Sequence, residues 1–288
     1  MNIPSQYLKL YDWIDTTKIS ITNLSDNMNA ETLLKQNIEE LDWSYLSQNL
    51  KGIEILEQNQ DKIDWYYLSE NENAMHLINK NLDKINWDIL SLNPGAILLL
   101  EQYPDKINWK NLSSNPSAIS LLEKNMNKVN WSMLSSNPNA IHILENNLDK
   151  INWIFLTTNE NATHIIEKNL DKINWKLLSS NPNVIHILEK NLDKINWRML
   201  SSNKNAIHII EKNLDKICWT YLSFNSNAVH ILEKNQNNID WEWFSENPSI
   251  FEINYKFIKE RLYSTYGEEL IAHMIHPDNF NKFNDWGL

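Results

Sequence analysis

Six histidines occupy one place in a regular pattern: His76, His142, His164, His186, His208 and His230, the last five a constant 22 residues apart. Imidazoles repeated in this way invite a metal site or a proton-driven switch. Geometry weighs against the metal. Zn–N bonds are about 2.0–2.1 Å, whereas stacked helices lie about 8–10 Å apart, so histidines one repeat apart do not converge on one ion. The column reads as a helix flank that is solvated or touches a partner. Glu145, Glu167 and Glu189 likewise recur beside Lys168 and Lys190. Carboxylates in near-identical surroundings make a solvated face, because acid/base catalysis wants two dissimilar environments. The chain has no Gly-rich phosphate loop, no H-E-x-x-H, no nucleophile elbow and no Cys/His dyad of any specificity. These residues predict no enzyme, no cofactor and no metal.

A more promising column varies. Tryptophan recurs every 22 residues from Trp43 to Trp241, and the residue after it runs through Tyr66, Asp88, Lys110, Ile154, Lys176, Arg198 and Thr220 while its neighbours stay fixed. Four residues further on, hence on the same helical face, come Gln48, Glu70, Leu92, Ser114, Ser136, Thr158, Ser180, Ser202, Phe224 and Glu246. If a partner is read unit by unit, this face reads it, with Lys110, Lys176 and Arg198 as the first patch to test. The tryptophans could stack bases, but their regular recurrence next to Leu marks contacts between units.

The elements that must carry these columns follow from the repeat. Eleven units of 22 residues run from Ile21, which replaces Trp, to about Leu262. In the representative unit WSMLSSNPNAIHILENNLDKIN (Trp131 to Asn152), Asn130 is an N-cap for a helix starting at Trp131, and Val129 with Leu134 makes a hydrophobic staple. Asn137, which is Asn in every unit, is a second cap, followed by Pro138 at the first position of a second helix. Ala140, Ile141, Leu144 and Leu148 form its apolar stripe. Asn147 then offers a left-handed stop. The 45 asparagines against 4 glycines assign the capping and positive-φ positions to Asn. The predicted fold is an all-α solenoid of eleven short two-helix repeats with helical caps. A leucine-rich-repeat-like β/α solenoid is the alternative, since Ile173, Trp175 and Leu177 alternate as in a strand. Asn or Asp between Ile and Trp suits a cap better than a strand interior.

Stacked repeats leave apolar ends that need covering. Residues 1–20, with Leu8, Leu10, Tyr11, Trp13 and Ile14, read as an N-terminal helical cap; residues 21–262 hold the eleven repeats; residues 263–288 read as a C-terminal helical cap. That tail is expected to form a helix from Glu268 to Ile275, a break at His276-Pro277 and a second short helix.

The motif W-x-x-L-S-S-N-P-N-A-I-H-I-L-E-K-N-L-D-K-I-N, as in Trp131 to Asn152 and Trp175 to Asn196, resembles the 22-residue tandem repeats of proteins from large amoeba-infecting DNA viruses. The lead-in LYDWID (Leu10 to Asp15) is similar to theirs. The resemblance spans nearly the whole chain and lends no activity to particular residues. It implies an infected-cell or virion setting.

Charge narrows the partners. A formal charge of −11 repels phosphate backbones, so a nucleic acid, read one unit per base, is an unfavoured partner. The lone Cys218 excludes an intramolecular disulfide and suits a reducing compartment. The absence of an export signal or a long apolar span predicts an intracellular protein with no membrane contact: cytoplasm of an infected host cell, or the virion. The expected function is a non-catalytic repeat scaffold that binds a protein through an extended surface; the alternatives are a self-assembling structural or virion-associated protein, and single-stranded nucleic-acid binding.

Overall fold

The computed structural model describes residues 3–274 and divides the chain into two compact units, Asp15–Ile250 and Met1–Ile14 with Phe251–Leu288. The larger unit is an all-α repeat solenoid. Its local elements start where capping chemistry puts them. Asp42 accepts from the N–H groups of Ser44 and Tyr45 and opens the helix Trp43–Gln48; Asn130 accepts from Met133 N–H and opens Trp131–Ser136. Cys218, which offers no such acceptor, opens Trp219–Ser223 with no side-chain cap. Units one to ten continue through a turn into a second helix, such as Ile141–Glu145, and then into a turn, here the 3-10 helix Leu148–Lys150. Among the described residues no strand falls between Asp15 and Ile250, which removes the leucine-rich alternative; the array ends at Ile250 rather than near Leu262, and strand Phe251–Ile253 begins directly after it.

Two details differ from the sequence reading. The second helix becomes α-helical three residues after the Pro, as in Pro94–Ala96 followed by Ile97–Gln102, because the first turn is 3-10. Asn147 is not left-handed: its φ is −143°, and its Nδ2 donates to the Ile143 carbonyl at 2.9 Å. The side-chain amide satisfies an orphan carbonyl of the helix end, so no positive φ is needed.

Between the two helix layers lies an apolar core of Leu134, Ala140, Ile143, Leu144 and Ile151 and their counterparts. A polar ladder runs through the same interior. Asn137 donates through Nδ2 to the carbonyls of Ser113 and Asn115 in the preceding unit at 3.0 and 2.9 Å, while its Oδ1 accepts from Asn139 N–H at 3.0 Å. Ser113 Oγ donates to the Trp109 carbonyl at 2.7 Å and accepts at 2.9 Å from the N–H of Asn130, the residue that caps the next unit's Trp helix. Ser113, Asn115, Ser135 and Asn137 are all buried, so each ladder group is hydrogen-bonded away from water, as a buried polar group must be.

The ladder has no free end. Asn27, in the first unit, donates to the carbonyls of Ser245 and Asn247, in the last, at 2.9 Å each. Ser20 N–H donates to Ser245 Oγ at 3.0 Å, and Asn29 Nδ2 to the Pro248 carbonyl at 2.8 Å. These are the bonds that Asn137, Asn130 and Asn139 make inside the array. The array is a closed ring. The eleventh unit is composite: Trp241–Glu246 and Pro248–Ile250 supply its first half, and the 3-10 turn Thr16–Lys18 takes the place that Leu148–Lys150 has elsewhere. Lys18 accordingly stands over the Trp241 ring at 5.1 Å, as Lys150 stands over Trp131 at 4.5 Å. This unit has no second helix, because the chain leaves the array after Ile250.

In the smaller unit, strand β1 (Leu8–Leu10) pairs antiparallel with β2 (Phe251–Ile253), Leu8 opposite Ile253, and Lys9 bridges Glu252 at 3.1 Å. The expected helix over Leu8 and Leu10 is thus a strand: the alternation Leu-Lys-Leu finds a partner of the same period in Phe-Glu-Ile. A helix Tyr255–Met274 follows, covering the drifted positions Tyr255 and Phe257. The break at His276-Pro277 and the second short tail helix lie outside the described residues.

The ladder predicts a specific sensitivity. Asn137→Ser keeps a cap acceptor but strips the buried carbonyls of Ser113 and Asn115 of their donors. Chemical denaturation should show a loss of about 2–4 kcal/mol. A cost near zero would mean that Asn serves only as a cap.

Candidate functional site

The layer order decides which residues face the opening of the ring. Cα atoms of several neighbouring Trp helices approach within 8 Å, among them Trp131–Ser136 against Trp153–Thr158 and, across the closure, Ile21–Leu24 against Trp241–Glu246, whereas the α-helical parts of successive second helices make fewer such approaches. In a closed ring the more tightly spaced layer is the inner one. With about 8–10 Å between axes, eleven helices give an inner ring on the order of 30 Å across. Within each Trp helix the fourth residue (Leu134 and equivalents) is buried toward the second layer. The second and sixth residues lie about 200° away at 100° per residue, so they face the opening, with the third beside them.

The structure places Tyr66, Asp88, Lys110, Ile154, Lys176 and Arg198 exposed on this inner face, with Thr220 half-buried. Tyr66 and Ile154 are 50% and 57% exposed, large values for groups of their apolar area. Lys176 and Arg198 sit in adjacent units; Lys110 is three units away and does not join them in one patch. The Arg198 guanidinium covers the Tyr221 ring at 4.8 Å.

The histidine column belongs to the other surface. His142, His164, His186, His208 and His230 lie on the second helices, and each Nε2 meets a Glu Oε1 of the preceding unit, as does His76, at 2.5–3.0 Å. Among the described residues no group of three or more His, Cys, Asp or Glu is arranged to hold a metal ion. The column is a set of half-exposed stitches between units, separate from the variable face.

The third position, outside the two variable columns, contributes aromatic contacts of its own. Tyr221 and Trp243 stack at 6.4 Å and 17°, and Phe224 meets Trp243 edge-on at 6.1 Å. The sequence signal was the i, i+3 relation between third and sixth residues, which brings them together within a helix; between units only the folded ring shows it. Asn23 Nδ2 bonds Glu246 Oε1 at 2.8 Å across the closure in the same geometry.

Charge on the face is segregated. At the second, third and sixth positions, Glu242, Glu246, Asp26, Glu70 and Asp88 lie in units eleven through four, counted across the closure, and Lys110, Lys176 and Arg198 in units five through nine. Burial pushes the Asp26 carboxyl up, against a lowering bond from Gln48. Burial also raises Glu246, opposed by the Asn23 bond and assisted by the Asp26 charge. No helix among the described residues is long and apolar enough to cross a membrane. No family model matches the chain, and no curated protein or solved structure matches it.

Two outcomes follow. His186→Ala removes one half-exposed His–Glu contact and should lower stability by at most about 0.5 kcal/mol in urea unfolding; a much larger loss would give the column a role the geometry does not. Asp26 and Glu246 hold their protons more tightly folded than at their ordinary values of 3.8 and 4.5. Stability from these two groups is therefore greatest below those values and falls as pH rises through the raised folded ones. Asp26→Asn should raise the melting temperature by about 1–3 °C near pH 7 and bring no gain near pH 3, as read by calorimetry; an equal gain at both would contradict it.

Proposed function

We propose that this chain is a non-catalytic ring scaffold that binds a protein partner on the inner face formed by its Trp helices. The observation that carries this reading is a division of labour. The Trp, Leu, Ser, Asn and Ala columns go to core, caps and ladder, and the histidines to stitches between units. The second, third and sixth positions lie on the inner face, and the second differs most from unit to unit. Exposed Tyr, Trp, Phe and Arg are the types enriched at protein interfaces.

The closure argues against end-to-end self-association of the repeats, since the first and last units already use each other's stacking groups. The acidic arc and overall charge of −11 argue against nucleic acid.

Affinity purification followed by mass spectrometry tests the reading. Partners recovered with the wild-type chain should be lost with Lys110→Glu, Lys176→Glu and Arg198→Glu combined with Tyr66→Ala and Ile154→Ala. They should be retained when Glu145, Glu167 and Glu189 of the second helices become Gln. Recovery that is indifferent to the inner-face set would remove that face from consideration.

A further inference from the structure

Resting on that reading of the inner face, we propose that the arc from unit ten across the closure to unit four is a binding site for a basic, arginine-containing peptide segment of the partner. Ring closure creates this arc. In an open array Tyr221, Phe224 and Trp243 would lie at one end and Tyr45, Tyr66 and Tyr67 at the other; here they flank one seam.

Exposed aromatic rings come first. Phe224, Trp243, Tyr45, Tyr66 and Tyr67 are each at least 38% exposed. Such rings offer faces to cations, and this surface already does so within the chain: the Arg198 guanidinium lies over Tyr221, whose ring continues into Trp243.

Between and beside the rings stand Glu242, Glu246, Asp26, Glu70 and Asp88, with no Lys or Arg at the three facing positions from unit ten through unit four. None of these carboxylates is in an ion pair among the described residues. Glu246, Asp26 and Asp88 have only neutral partners, the side chains of Asn23, Gln48 and Asn108. Asp26 and Glu246 are also partly buried, which holds both carboxyls above their ordinary range. A guanidinium at the seam would supply the counter-charge they lack. Guanidinium fits both halves of the site, stacking on aromatic faces and forking onto carboxylates, where an ammonium is a point charge. An opening on the order of 30 Å at the helix axes admits an extended segment or a helix of about 10–12 Å diameter.

Fluorescence anisotropy with a fluorescein-labelled hepta-arginine peptide tests this, with hepta-glutamate as the control, at low and physiological ionic strength. Hepta-arginine should bind and hepta-glutamate should not. The near-isosteric set Glu242→Gln, Glu246→Gln and Glu70→Gln should weaken binding at least about tenfold, near 1.4 kcal/mol. Trp243→Ala should weaken it severalfold. Glu145→Gln, Glu167→Gln and Glu189→Gln change net charge equally on the outer layer and should leave affinity within about twofold. Equal losses from the two Gln sets would reduce the binding to general attraction by an acidic protein and overturn the proposal, as would no binding at low salt. Concentration-dependent self-association abolished by the inner set would name a second copy as the occupant, and would also overturn it. If hepta-arginine fails while partner recovery still depends on Lys110, Lys176 and Arg198, the scaffold reading survives and this inference does not. If hepta-arginine binds as described but no partner depends on the face, the reverse holds.

Discussion

The side-chain amide of one asparagine per unit holds this structure in register. A cap needs only an acceptor, which Asp, Ser or Thr would also provide. The ladder position is Asn in all eleven units because its Nδ2 donors reach back to carbonyls of the unit before, as Asn137 does to Ser113 and Asn115. The Ser two residues earlier works in the other direction, accepting the N–H of the residue that caps the next unit's Trp helix. Helices of four to six residues, such as Trp65–Leu68 and Trp43–Gln48, are too short to be stable alone. Their order comes from this buried network and from the Leu, Ala and Ile core beside it, where an unmet carbonyl would be more damaging than a lost surface contact.

The same chemistry explains why the chain can close. Every unit presents donors on one side and acceptors on the other, so an array with the right curvature meets itself with bonds it already knows how to make. Asn27 finds Ser245 and Asn247 as Asn137 finds Ser113 and Asn115. Closure recruits Asp15–Ser20 into the last unit, and the two strands that flank the array in sequence, Leu8–Leu10 and Phe251–Ile253, pair with each other in the smaller unit. It also turns a row of variable residues into a continuous inner surface with an acidic, aromatic arc opposite a basic one.

The repeat, both helices of the first ten units and the caps at Asn130 and Asp42 were legible in the sequence, because spacing, capping and periodicity are local signals; the eleventh unit, expected to be like the rest, lacks its second helix. So was the exposed column after Trp, whose residue types change while its neighbours do not. Closure was not legible: whether an array curves to its own end depends on small rotations summed over eleven interfaces, which no single residue encodes. Nor was the fate of the histidines, since the His186–Glu167 contact joins residues 19 apart in sequence. The ladder left a trace that a cap alone does not explain, the strict preference for an amide at Asn27 to Asn247. The aromatic contacts of Tyr221, Phe224 and Trp243 depend on neighbouring units and became visible only with the layers in place.

Closure is the claim on which the inner face and its arc depend, and a distance measures it directly. With Cys218→Ser as background, paired spin labels at positions 22 and 242 should give the same separation as labels at positions 132 and 154, which occupy the equivalent sites in two interior neighbours. An open array of units about 8–10 Å apart would separate the first pair by roughly 80 Å or more. Matching distances are the predicted result, and a long distance for the first pair alone would contradict the ring.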